Sequence, residues 1–219
     1  MKLFLDCSDV DLISDAYGTG LIDGITTNPT LIKQSGRDPK EVLQEISDIF
    51  SWEASVSAEV MGETSEEMLD MAEEYIALGP NITIKVPCTY HGLLACRELS
   101  IQGVSTNVTL IFSTAQAILA SKAGATYVSP FVGRLNDQYW DGISLVEEIS
   151  DVYATHNADT KVLAASIREP SQVSKCFKVG ADICTIPHNV FMKMYMHCLT
   201  DSGLDIFRRD WSSVQNSIK

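Results

Sequence analysis

Residues 64–87 read TSEEMLDMAEEYIALGPNITIKVP. Thr64-Ser65-Glu66-Glu67 has the form of a helix entry, with acidic residues in the first turn, where they meet the positive end of the helix dipole. Apolar residues then recur at spacings of three and four through Leu78, and Gly79-Pro80 stops the helix. Asn81-Ile82-Thr83-Ile84-Lys85-Val86-Pro87 follows at once as a short β-rich run closed by a proline. Helix and strand joined by so little chain form one step of a βα repeat.

The same alternation extends to both ends. Strands are expected over residues 3–7, 24–27, 54–60, 82–86, 104–107, 127–131, 162–167 and 183–186. Helical spacing lies between them, for example over 65–78, 113–122 and 144–155. Regular βα alternation requires a parallel sheet. Eight units predict an α/β protein with a closed (β/α)₈ TIM barrel. An open doubly wound sheet is the alternative, but no glycine-rich dinucleotide fingerprint follows the first strand. With no linker or low-complexity stretch, residues 1–219 read as one domain, with about 200–219 left over as an extra C-terminal helical tail. Thr27-Asn28-Pro29-Thr30-Leu31-Ile32 is echoed by Thr106-Asn107-Val108-Thr109-Leu110-Ile111. The copies fall on the second and fifth strands rather than four units apart, so they read as two similar polar sites, not a duplicated half-barrel.

The chain has 219 residues, 45% hydrophobic and 21% charged, enough to bury a core without disulfides or a structural metal. Its net charge of −13 argues against nucleic acid as a partner, because phosphate backbones need clustered Lys and Arg. The six cysteines form no Cys-x-x-Cys, which favours reduced thiols. They make no zinc spacing with the four histidines, so no metal is expected. No run is long enough to span a membrane. The N-terminus enters a strand directly, and a cytoplasmic location is expected.

Lys85 is the most telling residue. Within a β run a lysine is expected to be partly buried, and burial penalises an ammonium ion. A neutral amine can attack a carbonyl and form a Schiff base. Active sites of such barrels form where the strands end. Those positions carry Asp6, Asn28, Glu59, Lys85, Asn107 with Thr109, Ser129, Phe131, Arg134, and Ser166 with Arg168. Each alone has a plainer explanation: Asp6 as a helix cap, Asn28 as turn chemistry, Arg134 and Arg168 as surface charges. Together they surround one lysine with proton-transfer groups, amides and two guanidinium groups able to grip a phosphate. A phosphorylated sugar handled through its carbonyl is the substrate this set predicts.

Phe4-Leu5-Asp6, Gly24-Ile25-Thr26-Thr27-Asn28-Pro29-Thr30, Ile84-Lys85-Val86-Pro87, Ser129-Pro130-Phe131-Val132-Gly133-Arg134 and Ala164-Ala165-Ser166-Ile167-Arg168 closely resemble the transaldolase family. The resemblance covers nearly the whole chain, in order. It is best to short bacterial and phage-type members and to the related fructose-6-phosphate aldolases. It implies a class I aldolase-like barrel in which Lys85 forms a Schiff base with a ketose phosphate. Asp6 would take the C4 hydroxyl proton as the C3–C4 bond breaks, and Glu59 would act through a water held partly by Thr109. Asn28, Asn107 and Ser129 would hold hydroxyls of the dihydroxyacetone unit. Arg134, Ser166 and Arg168 would bind phosphate.

By the same resemblance no cofactor is needed, because the imine is the electron sink. The implied reaction passes dihydroxyacetone from fructose 6-phosphate or sedoheptulose 7-phosphate to an aldose phosphate, in the non-oxidative pentose phosphate pathway. It implies the cytoplasm as the location, the host's where the protein is phage-encoded. The alternatives are an aldolase that releases free dihydroxyacetone, and a non-catalytic sugar-phosphate-binding barrel. The aldolase subgroup is expected to carry glutamine and tyrosine where this chain has Glu59 and Phe131. Tyr90-His91-Gly92 and His188 depart from the family pattern. In the tail, Leu204, Phe207 and Trp211 fall on one helical stripe. The resemblance implies a homo-oligomer, a pentamer or decamer, whose tail reaches the next subunit.

Overall fold

The computed structural model describes residues 1–217; the last two positions of the expected tail lie outside the described residues. The order is β1 (Lys2–Asp6), α1 (Val10–Gly18), β2 (Gly24–Thr26), α2 (Pro29–Ser35), α3 (Pro39–Ile49), β3 (Ser55–Glu59), α4 (Ser65–Ile76), β4 (Ile82–Pro87), α5 (Tyr90–Ile101) and β5 (Thr106–Ile111). It continues with α6 (Thr114–Lys122), β6 (Tyr127–Pro130), α7 (Val132–Asn136), α8 (Gly142–His156), β7 (Lys161–Ala164), α9 (Pro170–Lys178), β8 (Ile183–Pro187), α10 (His188–Lys193) and α11 (Cys198–Ser217). The strands close into a parallel barrel in the order β1 to β8, with β8 paired back onto β1. This is the expected (β/α)₈ architecture with an additional C-terminal helix.

Local chemistry sets the helix starts. Glu67 N donates to Thr64 Oγ1 (3.2 Å) and Thr64 N to Glu67 Oε2 (3.3 Å), a reciprocal cap that satisfies free donors of the first turn of α4. Pro29, Pro39 and Pro170 open α2, α3 and α9, where a missing N–H costs nothing. Asp9, rather than Asp6, caps α1, accepting from Asp11 N and Leu12 N.

Outward-facing strand residues such as Leu5, Ile25, Val56, Ile84 and Val108 are fully buried and pack against the helices in the main core. Each such side chain contributes about 1.5–3 kcal/mol of burial. The barrel interior is different. Phe4, Leu163, Ala165 and Ile183 form a separate small apolar cluster, flanked by Tyr127 and Phe131. The remaining inward positions are polar: Ser55 with Thr83 (2.8 Å), Ser57 with Asn107 (3.4 Å), and Asn107 with Ser129 (2.7 Å).

Most strand ends fall within two residues of expectation, and two differ by more. β5 runs on to Ile111 rather than ending at Asn107, because Val108, Thr109 and Ile111 are β-branched and keep pairing. A register shift against β6 between Val108 and Ile111, with Leu110 at φ 58°, bulges the strand at this point. β7 stops at Ala164 instead of Ile167, because Ser166 turns to φ 58°, outside strand geometry. The tail forms α11 as expected, and Leu204, Phe207 and Trp211 stay exposed on it rather than packing against the barrel. Among the described residues no helix is long and apolar enough to cross a membrane, and all six cysteines are free thiols.

Candidate active site

The C-terminal rim encloses a cavity of about 380 Å³, within the range that holds small-molecule ligands. All the expected site residues except Asn107 and Arg168 line it: Asp6, Asn28, Glu59, Lys85, Thr109, Ser129, Phe131, Arg134 and Ser166. The register explains why. Glu59 stands beside Lys85 in the β3–β4 pairing, and Asp6 beside Thr26 in the β1–β2 pairing.

Lys85 is 5% exposed. Its Nζ lies 2.9 Å from Glu59 Oε2 and donates to the Thr27 carbonyl at 3.1 Å. The amine is thus held at the cavity floor by one carboxylate and one backbone oxygen. Asp6 accepts from Thr26 Oγ1 at 2.7 Å and receives a side-chain hydrogen bond from Asn28. Burial raises its carboxyl above the ordinary aspartate range. The Lys85 charge and the Thr26 and Asn28 bonds offset part of that rise, and the Glu59 charge adds to it. Asn28 Oδ1 is occupied by Leu31 N at 3.1 Å, so this residue also caps α2.

Thr109 Oγ1 is buried and has no partner. It stands at the β5 bulge and lines the cavity, so a polar atom brought there would satisfy it. Ser129 Oγ donates its single proton to Asn107 Oδ1, which leaves Ser129 as an acceptor toward the cavity. Asn107 is fully buried, in register with Lys85 on the neighbouring strand.

The cationic end is built on α7. Gly133 packs so closely on the β7 turn that a Cβ there would meet Ser166 O at 2.1 Å and Arg168 Nε at 2.8 Å. Gly133 N donates to Ser166 O at 2.9 Å, which helps hold Ser166 in its unusual conformation. Arg134, one residue on, lies over the Phe131 ring, its guanidinium carbon 4.9 Å from the centroid. Arg168 points away: its Nη2 pairs with Asp137 Oδ2 at 2.6 Å on the exposed surface. Tyr90 and His91 open α5 and His188 opens α10; none of them lines the cavity.

The sequence reading passed over Thr26, Met61, Leu110 and Thr185, which also line the cavity. Thr26 and Thr185 had a signal: both occupy alternate, inward positions on their strands, the same face as Asp6 and Lys85. The assembled set can do carbonyl chemistry. It brings together a sequestered amine, two carboxylates able to carry protons, hydroxyl and amide partners, and a guanidinium at one end.

The family model described as transaldolase/fructose-6-phosphate aldolase matches residues 3–218. The chain belongs to this family. It is 47% identical over 218 residues to a "Probable transaldolase" of Caulobacter vibrioides, covering 100% of both chains. A "Probable transaldolase" of Clostridium kluyveri is 50% identical over 214 residues, covering 98% of this chain and 99% of that one. One of Methanococcus maripaludis is 49% identical over 213 residues, covering 97% and 98%. Among solved structures, a mutant flavocytochrome b2 with benzoylformate aligns at TM-score 0.63 and 12% identity, over 86% of this chain and 57% of that chain. That likeness concerns the barrel fold alone. As a member of the transaldolase/fructose-6-phosphate aldolase family, the chain is an aldolase- or transaldolase-type enzyme.

Proposed function

We propose that the protein is a transaldolase that moves a dihydroxyacetone unit between sugar phosphates through a Schiff base on Lys85. The observation that carries this reading is the 2.9 Å contact of Lys85 Nζ with Glu59 at the floor of a cavity that also holds Asp6. Glu59 accepts a proton from the Lys85 ammonium, freeing the lone pair. The amine attacks the C2 carbonyl of the ketose phosphate, and the carbinolamine loses water to give the iminium. Glu59 handles these protons through a water that Thr109, with its unpartnered hydroxyl, helps to hold. Asp6 then takes the C4 hydroxyl proton. The C3–C4 electrons flow into the iminium, an enamine forms, and the aldose phosphate departs. The acceptor aldose reverses these steps and water releases the new ketose.

In this reading Asn28 and Ser129 hold substrate hydroxyls directly, and Asn107 acts by orienting Ser129. Arg134 and Ser166 meet the phosphate. Arg168 joins them by leaving Asp137. An exposed ion pair is worth ~0–1 kcal/mol, whereas a hydrogen bond to a charged group is worth ~1.5–3 kcal/mol, so the exchange is favourable. Fructose 6-phosphate and sedoheptulose 7-phosphate are the donors, and the reaction belongs to the non-oxidative pentose phosphate pathway, in the cytoplasm. Incubation with fructose 6-phosphate, with and without erythrose 4-phosphate, tests this. Glyceraldehyde 3-phosphate should form readily only with the acceptor. Rapid formation without it, together with free dihydroxyacetone, would favour the aldolase. Phe131 speaks for the transferase, since an apolar ring stands where a hydroxyl would assist water, and Lys85 with Glu59 has no use in a mere binding barrel.

Arg134→Ala should weaken phosphorylated substrates by about ten- to a hundredfold in KM, with a smaller loss for free ketoses. Equal losses for both would assign Arg134 a structural role. For assembly, the exposed Leu204, Phe207 and Trp211 on α11 support a homo-oligomer, a pentamer or decamer. Light scattering at micromolar concentration should give a multimeric mass that collapses when the chain is cut before Leu204. A monomeric mass for the intact chain would defeat this.

A further inference from the structure

Asp6 is tied to a pair of hydroxyls that the mechanism above does not use. Thr26 Oγ1 lies 2.7 Å from Asp6 Oδ1 and 2.7 Å from Thr185 Oγ1. Both threonines are almost fully buried, and they come from β2 and β8, the two strands that flank β1. A hydroxyl has one proton to give, and an ionised carboxylate can only accept. With Asp6 ionised, as its role of proton acceptor requires, the Thr26 proton is committed to Asp6, and the bond between the two hydroxyls runs from Thr185 to Thr26. The chain has one direction: Thr185 to Thr26 to Asp6.

Each bond in such a series polarises the next, and a hydrogen bond to the charged form of an acid favours that form. The series thus opposes the burial that discourages ionisation at this position. The charged groups acting on Asp6 are Lys85 from β4, which favours the carboxylate, and Glu59 from β3, which opposes it. The Asn28 amide donates to it, and the Cys7 thiol follows it in the chain. From β8 the cavity-lining residue is the neutral Thr185.

We propose that Thr185 is a positioning residue which, through Thr26, keeps the Asp6 carboxylate ionised and fixed in orientation to accept the substrate's hydroxyl proton. The inference rests on the role assigned to Asp6 above, and two readouts separate the two. The first is the ¹³C carboxyl titration of Asp6 in the free protein, assigned with Asp6→Asn, which needs no turnover. The second is the pH profile of transfer from fructose 6-phosphate to erythrose 4-phosphate.

Thr185→Val keeps the shape and removes the donor; Thr185→Ser keeps the donor. In Thr185→Val the Asp6 midpoint and the acid limb of kcat should both move up by about one pH unit, which is about a tenfold fall in kcat on that limb. KM for fructose 6-phosphate should change little, and Thr185→Ser should restore both values. Coincident midpoints for wild type and Thr185→Val overturn the proposal, as do equal shifts in the Val and Ser variants. Full cleavage activity in Asp6→Asn would refute the role of Asp6 itself, and the carboxyl midpoints would then decide alone whether the hydroxyl series acts.

Discussion

Lys85→Arg loses transfer activity by on the order of 10⁴-fold or more and no longer captures substrate when borohydride is added with fructose 6-phosphate. The guanidinium keeps a positive charge opposite Glu59, 2.9 Å from the amine in the native protein, so the ion pair survives while the nucleophile is lost. Wild-type protein under the same treatment gains the mass of a reduced three-carbon adduct, and peptide mapping places it on Lys85. A label on another lysine, or capture by the variant, would sink the Schiff-base mechanism. Unchanged far-UV circular dichroism would exclude unfolding as the cause.

Asp6→Asn should pull activity and stability in opposite directions. Cleavage needs a base at the C4 hydroxyl, and removal of a positioned general base costs about 10²–10⁴-fold. The same carboxylate is a burden to the fold. Burial raises its folded-state pKa above the unfolded value, so the native state binds this proton more tightly than the unfolded chain does. Stability from this group is therefore lost as pH rises from the unfolded midpoint through the folded one, and the full penalty is present above both. The amide oxygen introduced by Asp6→Asn accepts the Thr26 bond without carrying the charge. The variant should melt higher than wild type at neutral pH, by about 2–4 °C for each kcal/mol recovered, and the difference should shrink as pH falls toward the ordinary aspartate range. Scanning calorimetry at pH 5 and pH 8 measures both halves. A variant that melts lower at pH 8 would show that the Lys85 attraction outweighs burial.

Most of the barrel could be read from residues 64–87 outward, because helix entry, glycine–proline stop and β run are local signals and the structure repeats them. Strand ends were less legible. Ser166 ends β7 early through a left-handed turn that nothing in its residue type demands; it is held there by Gly133 N and by the close approach of α7. The echo of residues 27–32 in 106–111 illustrates the limit. One copy opens a helix because Pro29 fits the first helical position, and the other continues a strand because Val108 stands there instead. A single residue separates the outcomes. Lys85, Glu59 and Asp6 were found because ionisable groups in β runs are conspicuous. Thr26 and Thr185 were not, because a threonine in a strand is ordinary and only the closed barrel brings the two within 2.7 Å. The ion pair of Arg168 with Asp137 was not legible either, because the partners lie 31 positions apart and only the approach of α7 to the β7 turn brings them together.

The pairing of β8 with β1 also has a temporal consequence. Asp6 emerges well before Thr185, which comes with the last strand of the barrel, and Phe4 is set opposite Thr185 across the seam. A nascent chain lacking β8 carries Asp6, Glu59 and Lys85, yet β1 is an open edge and the proton acceptor has lost its hydroxyl support. Such a chain also exposes unpaired strand groups that invite association with other chains. Turnover in a refolding experiment should therefore appear with barrel closure, later than the bulk of the helical signal, so that the enzyme reports the completion of its own folding.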